Sequence, residues 1–199
     1  MKKTMAIAGV ALGLMAGGAN ASLFDRGNGM IYDDVRNITW MADWHYAQPT
    51  NGMLWAEAKT WADDLVYGGF GDWRLPSALN PDGSQCNNYD CSGSEMGYMF
   101  YVNWGATLYQ SYSEGTNTAN LALFNSVSTI NSGYYWTGTK LGDSLCAFGT
   151  SDGFSYCGRD ERMSAVAVRD GDVPVPVPAT LALLGLGLAG IAAARRKQA

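Results

Sequence analysis

Gly68-Gly69-Phe70-Gly71-Asp72-Trp73-Arg74-Leu75-Pro76-Ser77, with the run Leu54 to Tyr67 that leads into it, decides how the rest of the chain is read. In that run Leu54, Ala58, Trp61 and Leu65 recur at helical spacing and share one face, which Trp55 and Ala62 widen. Glu57, Lys59, Asp63 and Asp64 fall mostly elsewhere. The spacing predicts a helix ended by the backbone freedom of Gly68 and Gly69, with Gly71 allowing a second tight turn. An extended segment follows. Alternation along it buries Trp73 and Leu75 on one face and sends Arg74 to the other, and Pro76 stops the pairing. Arg74 then has two readings, a structural ion pair with one of the many aspartates or a ligand contact.

The chain has 199 residues, seven Trp and eleven Tyr, a composition that builds a genuine core rather than a disordered chain. Its formal charge is −5, but Lys2, Lys3, Arg195, Arg196 and Lys197 all lie near the ends. Between Ser22 and Asp172 eight basic residues face eighteen acidic ones, a net charge of −10. So acidic a surface repels phosphate backbones and argues against a nucleic-acid partner.

Residues 1–21 combine Lys2 and Lys3, an apolar run from Met5 to Met15 and Ala19-Asn20-Ala21, the pattern of a secretory signal peptide with its cleavage site. The expected mature domain, 22–172, therefore folds outside the cytoplasm. Short strands are expected between the turns at Gly27-Asn28-Gly29 and Asp33-Asp34 and through Asn37 to Met41. His45, between Trp44 and Tyr46, has no accompanying nucleophile motif and reads as a packed or surface residue. Ser94 is placed to cap a second helix running to about Trp104, with Glu95 in its first turn and Met96, Met99, Phe100 and Asn103 on one face. Gly105 to Asn131 reads as a long polar loop anchored by Leu121 to Val127. Tyr109, Tyr112 and Asn117 on that loop are candidate ligand contacts. Tyr134 to Thr137 and Ala165 to Arg169 read as strands, the second nearly all apolar and hence central.

Four cysteines in an exported chain imply two disulfides. Proximity favours Cys86 with Cys91 and Cys146 with Cys157, the second pair flanking a hairpin that turns at Asp152-Gly153. Neither spacing is that of a common zinc site, so no metal and no cofactor is expected.

Trp55-Ala56-Glu57-Ala58, Trp61-Ala62 and Gly68 to Ser77 resemble the bacterial domain family of unknown function named after the C-terminal domain of a Legionella collagen-like adhesin. Ser94 to Tyr101, Tyr135 to Thr139 and Ala165 to Asp172 extend the resemblance in the same order. The resemblance implies an α+β, C-type lectin-like fold, loop-rich, with two helices packed on short, mainly antiparallel strands and an N-terminal strand pairing with a C-terminal one. That fold is related to formylglycine-generating enzymes, so it also implies an alternative, an oxidoreductase using a cysteine pair. A shared fold does not carry a shared site. Of the calcium-binding tripeptides and Trp-Asn-Asp motif of sugar-binding C-type lectins the chain has only Asn80-Pro81-Asp82, in a different segment, so the resemblance assigns no calcium site.

The tail, 173–199, contains Val175-Pro176-Val177-Pro178, an apolar run 181–194 and Arg195-Arg196-Lys197. Linker, short apolar helix and basic stop read as a C-terminal membrane anchor oriented by the positive-inside rule. The tail also resembles the PEP-CTERM sorting signal, although Val177 stands where that signal usually has Glu. This implies an exosortase-type membrane protease as partner, transient anchoring in the inner membrane, and release to the cell surface or matrix. The expected function is a non-catalytic surface or matrix module with a polysaccharide or surface protein as ligand.

Overall fold

The computed structural model describes residues 23–47, 51–127 and 133–174. The expected leader 1–21, the expected anchor 181–194 and the tail residues Val175 to Pro178 lie outside the described residues. Two antiparallel sheets and a few short helices make a mixed α+β architecture.

The first sheet has the order β1-β2-β3-β7, formed by Leu23–Asp25, Met30–Asp33, Ile38–Met41 and Val168–Asp170. β-branched and aromatic residues dominate β2 and β3, and every residue of β3 is buried. Asp33 Oδ1 accepts the backbone N–H groups of Val35 and Arg36, both at 3.0 Å, and so shapes the turn between these strands. The expected pairing of N- and C-terminal strands is the β3–β7 ladder, with Thr39 opposite Arg169. The second sheet is a meander, β4 (Tyr134–Leu141), β5 (Ser144–Gly149) and β6 (Ser155–Gly158).

Helix α1 (Trp55–Asp63) buries Ala58 and Ala62, with Trp61 and Leu65 packed on the same side. Glu57 Oε2 accepts the Leu54 N–H at 3.0 Å and Asp160 Oδ1 accepts that of Trp55 at 2.8 Å, so two carboxylates satisfy the open helix start. The helix stops before the expected glycines. Asp63 and Asp64 bring negative charge to the end where the dipole disfavours it, and Gly68 and Gly69 serve a later hairpin turn instead. There Tyr67 and Phe70 exchange N–H···O bonds of 3.0 Å across φ values of +61° and +89°. A Cβ on Gly68 would lie 2.6 Å from the Met30 sulfur, so the turn also requires glycine for packing.

The second helix starts as expected: Ser94 Oγ accepts the Gly97 N–H at 3.0 Å. It comprises α2 (Glu95–Gly97) continuing as a π-helix, Tyr98–Asn103, in which the Trp104 N–H reaches the Met99 carbonyl. Met96, Met99, Phe100 and Asn103 are all buried. A short third helix, α3 (Thr118–Leu121), lies in the long loop.

The segment read as a central strand from Ala165 to Arg169 is a strand only at Val168–Asp170, at the end of the first sheet's order. The residues before it stitch the sheets together. Ser164 bonds to Tyr134 and Trp136 of β4, Ala167 to Met41 of β3, and Val168 to Arg74 on its outer side. Their apolar character reflects burial between two sheets rather than within one. The core at this junction is aromatic, with Trp44 5.5 Å from Trp40, 4.9 Å from Trp104 and 5.1 Å from Tyr135, ring centre to ring centre.

Candidate functional site

The stretch Gly68 to Ser77 is a hub. Trp73 and Leu75 are buried, and the Trp73 indole N–H reaches the carbonyls of Tyr67 and Phe70 at 3.2 Å, tying the hairpin turn to the extended segment. Asp72 grips Arg169 through two bonds of 2.8 Å, which holds its carboxyl below the usual range, and Arg169 lies over the Phe70 ring. Arg74 meets Glu95 of α2 and Asp170 of β7. Burial pulls its pKa down, but its hydrogen bonds and charge pairing with both carboxylates outweigh burial and raise it. Glu95 also accepts the Ser77 N–H at 2.6 Å. Beside Arg74 is a cleft of about 460 Å³ floored by Leu75 and Leu79 and edged by Lys59, Ser77, Thr139 and Lys140. Lys59 is paired with Asp63 at 2.7 Å and Arg74 with two carboxylates. Of its two readings, Arg74 has the geometry of the structural ion pair, with a glutamate as well as an aspartate as partner.

Two of the three loop candidates hold the loop in place. The Tyr112 hydroxyl donates to the Val127 carbonyl at 3.1 Å and its ring lies 5.5 Å from Trp104. Asn117 caps α3, its side chain accepting the Asn120 N–H at 3.3 Å. Tyr109 differs. It is 69% exposed, with a backbone φ of +65° that a bulky L-residue seldom adopts. Its N–H donates to the Asp152 carbonyl at 2.8 Å, fixing the loop onto the β5–β6 hairpin.

Around Tyr109 runs a chain of rings. Tyr89 is 4.4 Å from Tyr109 and 4.9 Å from Phe154, which lies parallel to Tyr156 at 6.3 Å, and Tyr156 is 5.4 Å from Tyr134. The strand register places Tyr134, Gly149 and Tyr156 on one face. Gly149 and Gly158 leave room for the rings, since a Cβ on either would come 3.0 Å from Tyr134 or Tyr156 respectively. Asp152 sits against the row, accepting the Phe154 N–H at 3.0 Å and the Tyr134 hydroxyl at 3.3 Å. Burial first, then Asp152, pushes the Tyr134 pKa up to about 12, and the Tyr89 and Tyr156 phenols are raised as well, chiefly by desolvation. These hydroxyls keep their protons at neutral pH.

Both disulfides brace this row. Cys146 and Cys157 face each other across β5 and β6, the expected cross-strand pair, and Cys86–Cys91 closes the loop that carries Tyr89. Asn88 and Ser155 exchange backbone bonds of 2.7 and 3.0 Å, docking that loop on β6. From the π-helix, the Tyr101 hydroxyl accepts the Asp90 N–H at 3.1 Å and donates to the Gly153 carbonyl at 2.7 Å. Positive φ at Asn88 (+111°) and Asp90 (+59°) flanks half-buried Tyr89, at residue types that adopt this region more readily than most. Tyr89, Phe154, Tyr156 and Tyr134 were not foreseen as site residues. An aromatic residue inside each cysteine-bracketed segment was an available signal for Tyr89, Phe154 and Tyr156, whereas Tyr134 lies in neither segment.

Residues 174–197 match the family model described as the PEP-CTERM protein-sorting motif. Neither a curated protein nor a solved structure matches the chain. The motif implies processing by an exosortase, a membrane protein, and export to the cell surface or extracellular space.

Proposed function

We propose that the chain is an exported, non-catalytic binding module of the cell surface or extracellular matrix, with the aromatic row from Tyr109 to Tyr134 as its binding face. The domain is 22–172, of C-type lectin-like fold and akin to the collagen-like adhesin C-terminal family. The leader 1–21 is removed on export. The tail 173–199 anchors the chain in the inner membrane through 181–194 until an exosortase cuts near Val175 to Pro178. The ligand is a polysaccharide or a surface protein.

The observation that carries this reading is the row itself: half-buried and exposed rings on segments closed by two disulfides. Aromatic side chains offer contact area with little rotamer entropy to lose, and covalent bracing lowers the ordering cost of binding further. The oxidoreductase alternative requires a reactive thiol pair. That Cys86, Cys91, Cys146 and Cys157 are all disulfide-bonded supports the binding reading. Retention of the exported protein on washed cell envelopes or matrix of an exosortase-encoding host tests it. Wild type should be retained and the Tyr89→Ala/Tyr109→Ala double variant released. Equal retention of the two proteins removes the row from the account.

A further inference from the structure

We infer that the aromatic row binds a neutral polysaccharide by stacking sugar faces on its rings, without a metal ion. This rests on the binding-module reading and narrows its ligand class. A pyranose presents C–H bonds on its face and hydroxyls at its rim. A matching surface needs π faces to lie against the first and hydrogen-bonding groups for the second. Tyr109, 69% exposed, supplies the open face; Tyr89 leans against it at 4.4 Å and Phe154 against Tyr89 at 4.9 Å, with ring planes tilted by 56° and 52°, and half-buried Tyr156 and Tyr134 back the row. Of the four phenols, that of Tyr134 is donated to Asp152 and that of Tyr156 to the Met163 sulfur, which leaves those of Tyr109 and Tyr89 to meet sugar hydroxyls.

Charge selects within the class. The Asp152 carboxylate beside the row repels uronates and sulfated sugars, and a net charge of −10 across 22–172 opposes polyanions at longer range. A protein ligand fits less well. A stable protein interface takes about 800 Å² from each partner, whereas of these five rings only Tyr109 is among the large exposed hydrophobic residues. The metal-free mode follows from the carboxylates. Both oxygens of Asp152 already accept protein hydrogen bonds, and among the described residues no group of three or more His, Cys, Asp or Glu is placed to hold an ion.

Affinity electrophoresis of the full chain in detergent, through gels containing hydroxyethylcellulose, dextran or alginate, tests the inference. Retardation by at least one neutral polymer, unchanged by EDTA, is expected, with alginate without effect. Tyr109→Ala should weaken the apparent affinity about ten-fold, while Tyr109→Phe, which keeps the ring, should stay within about three-fold. Tyr109 is exposed, so both variants should fold, which thermal melting confirms. Retardation only by alginate, abolition by EDTA, or indifference to Tyr109→Ala overturns the inference. Envelope retention without retardation by either neutral polymer overturns it too and leaves the binding-module reading standing. Loss of both ends both.

Discussion

The Arg74 guanidinium and the Glu95 carboxylate meet fork to fork, Nη1 2.9 Å from Oε2 and Nη2 2.8 Å from Oε1, while Asp170 takes the other edge of the guanidinium. One residue thereby ties the extended segment after α1 to the start of α2 and to β7. Only a planar fork makes both bonds. Arg74→Lys should behave as a large change, not a conservative one.

Breaking a buried ion pair by removing one partner costs roughly 3–5 kcal/mol. With 34% of the Arg74 side chain exposed, Arg74→Ala belongs at or below the low end of that range, and Arg74→Lys should recover less than half of the loss. Urea denaturation of the three proteins measures both. A loss under about 1 kcal/mol for Arg74→Ala would mean that the fork does not hold these elements together.

Asp33 is a buried carboxylate, 1% exposed, whose pKa is raised by burial despite bonds from the backbone of Arg36 and from Asn103. The fold thus favours its protonated form. Its stabilising contribution is complete below the unfolded value near 3.8 and is lost as pH rises through the folded value. Asn103 Oδ1 is buried without a partner, so after a half-turn of its amide it can accept from a new side-chain amide at position 33. Asp33→Asn should therefore stay within about 1 kcal/mol of wild type at neutral pH, with its stability relative to wild type increasing as pH rises above 4. Asp33→Ala, which leaves the Val35 and Arg36 N–H groups and Asn103 unpaired, should cost about 2–4 kcal/mol. Melting curves of all three across pH 3 to 8 give the comparison.

How much of this was legible beforehand varied with how local the cause was. Ser94 as a cap, the alternation of Trp73, Arg74 and Leu75, the buried face of Met96 to Asn103 and the hairpin at Asp152-Gly153 depend on neighbours a few residues apart, and periodicity finds them. Gly68 and Gly69 were read as a helix stop because the packing that demands glycine comes from Met30, 38 residues away at Gly68. Ala165 to Arg169 reads as a central strand from sequence because an apolar run looks alike between two sheets and within one. The aromatic row is touched only at Tyr109, because its members lie on four separate segments, and the approach of the two loops among them depends on the Asn88–Ser155 and Tyr109–Asp152 backbone bonds.

Tyr109 offers a separation of stability from binding. Glycine adopts φ = +65° freely, while alanine keeps nearly the same strain as tyrosine. Tyr109→Gly should be more stable than Tyr109→Ala by about 1 kcal/mol, yet both should lose ligand binding equally. Equal stabilities would show that position 109 relaxes its backbone and stores no strain.

Opening the Cys86–Cys91 loop should hurt binding more than folding. Closure of so short a loop stabilises by about 2 kcal/mol, less than the whole stability of a typical domain. The Cys86→Ser/Cys91→Ser double variant should remain folded by circular dichroism, with Tyr89 no longer held against Phe154 and envelope retention reduced several-fold. Unchanged retention would separate the loop from the binding face.

The most direct measurement is hydrogen–deuterium exchange of the exported protein, free and bound to envelope or matrix. The account predicts slowed exchange on binding in residues 86–91, 107–112 and 150–157, the segments that carry or fix the rings of Tyr89, Tyr109, Phe154 and Tyr156. Slowing confined to the cleft at Lys59, Arg74 and Lys140, with those three segments unchanged, would contradict it.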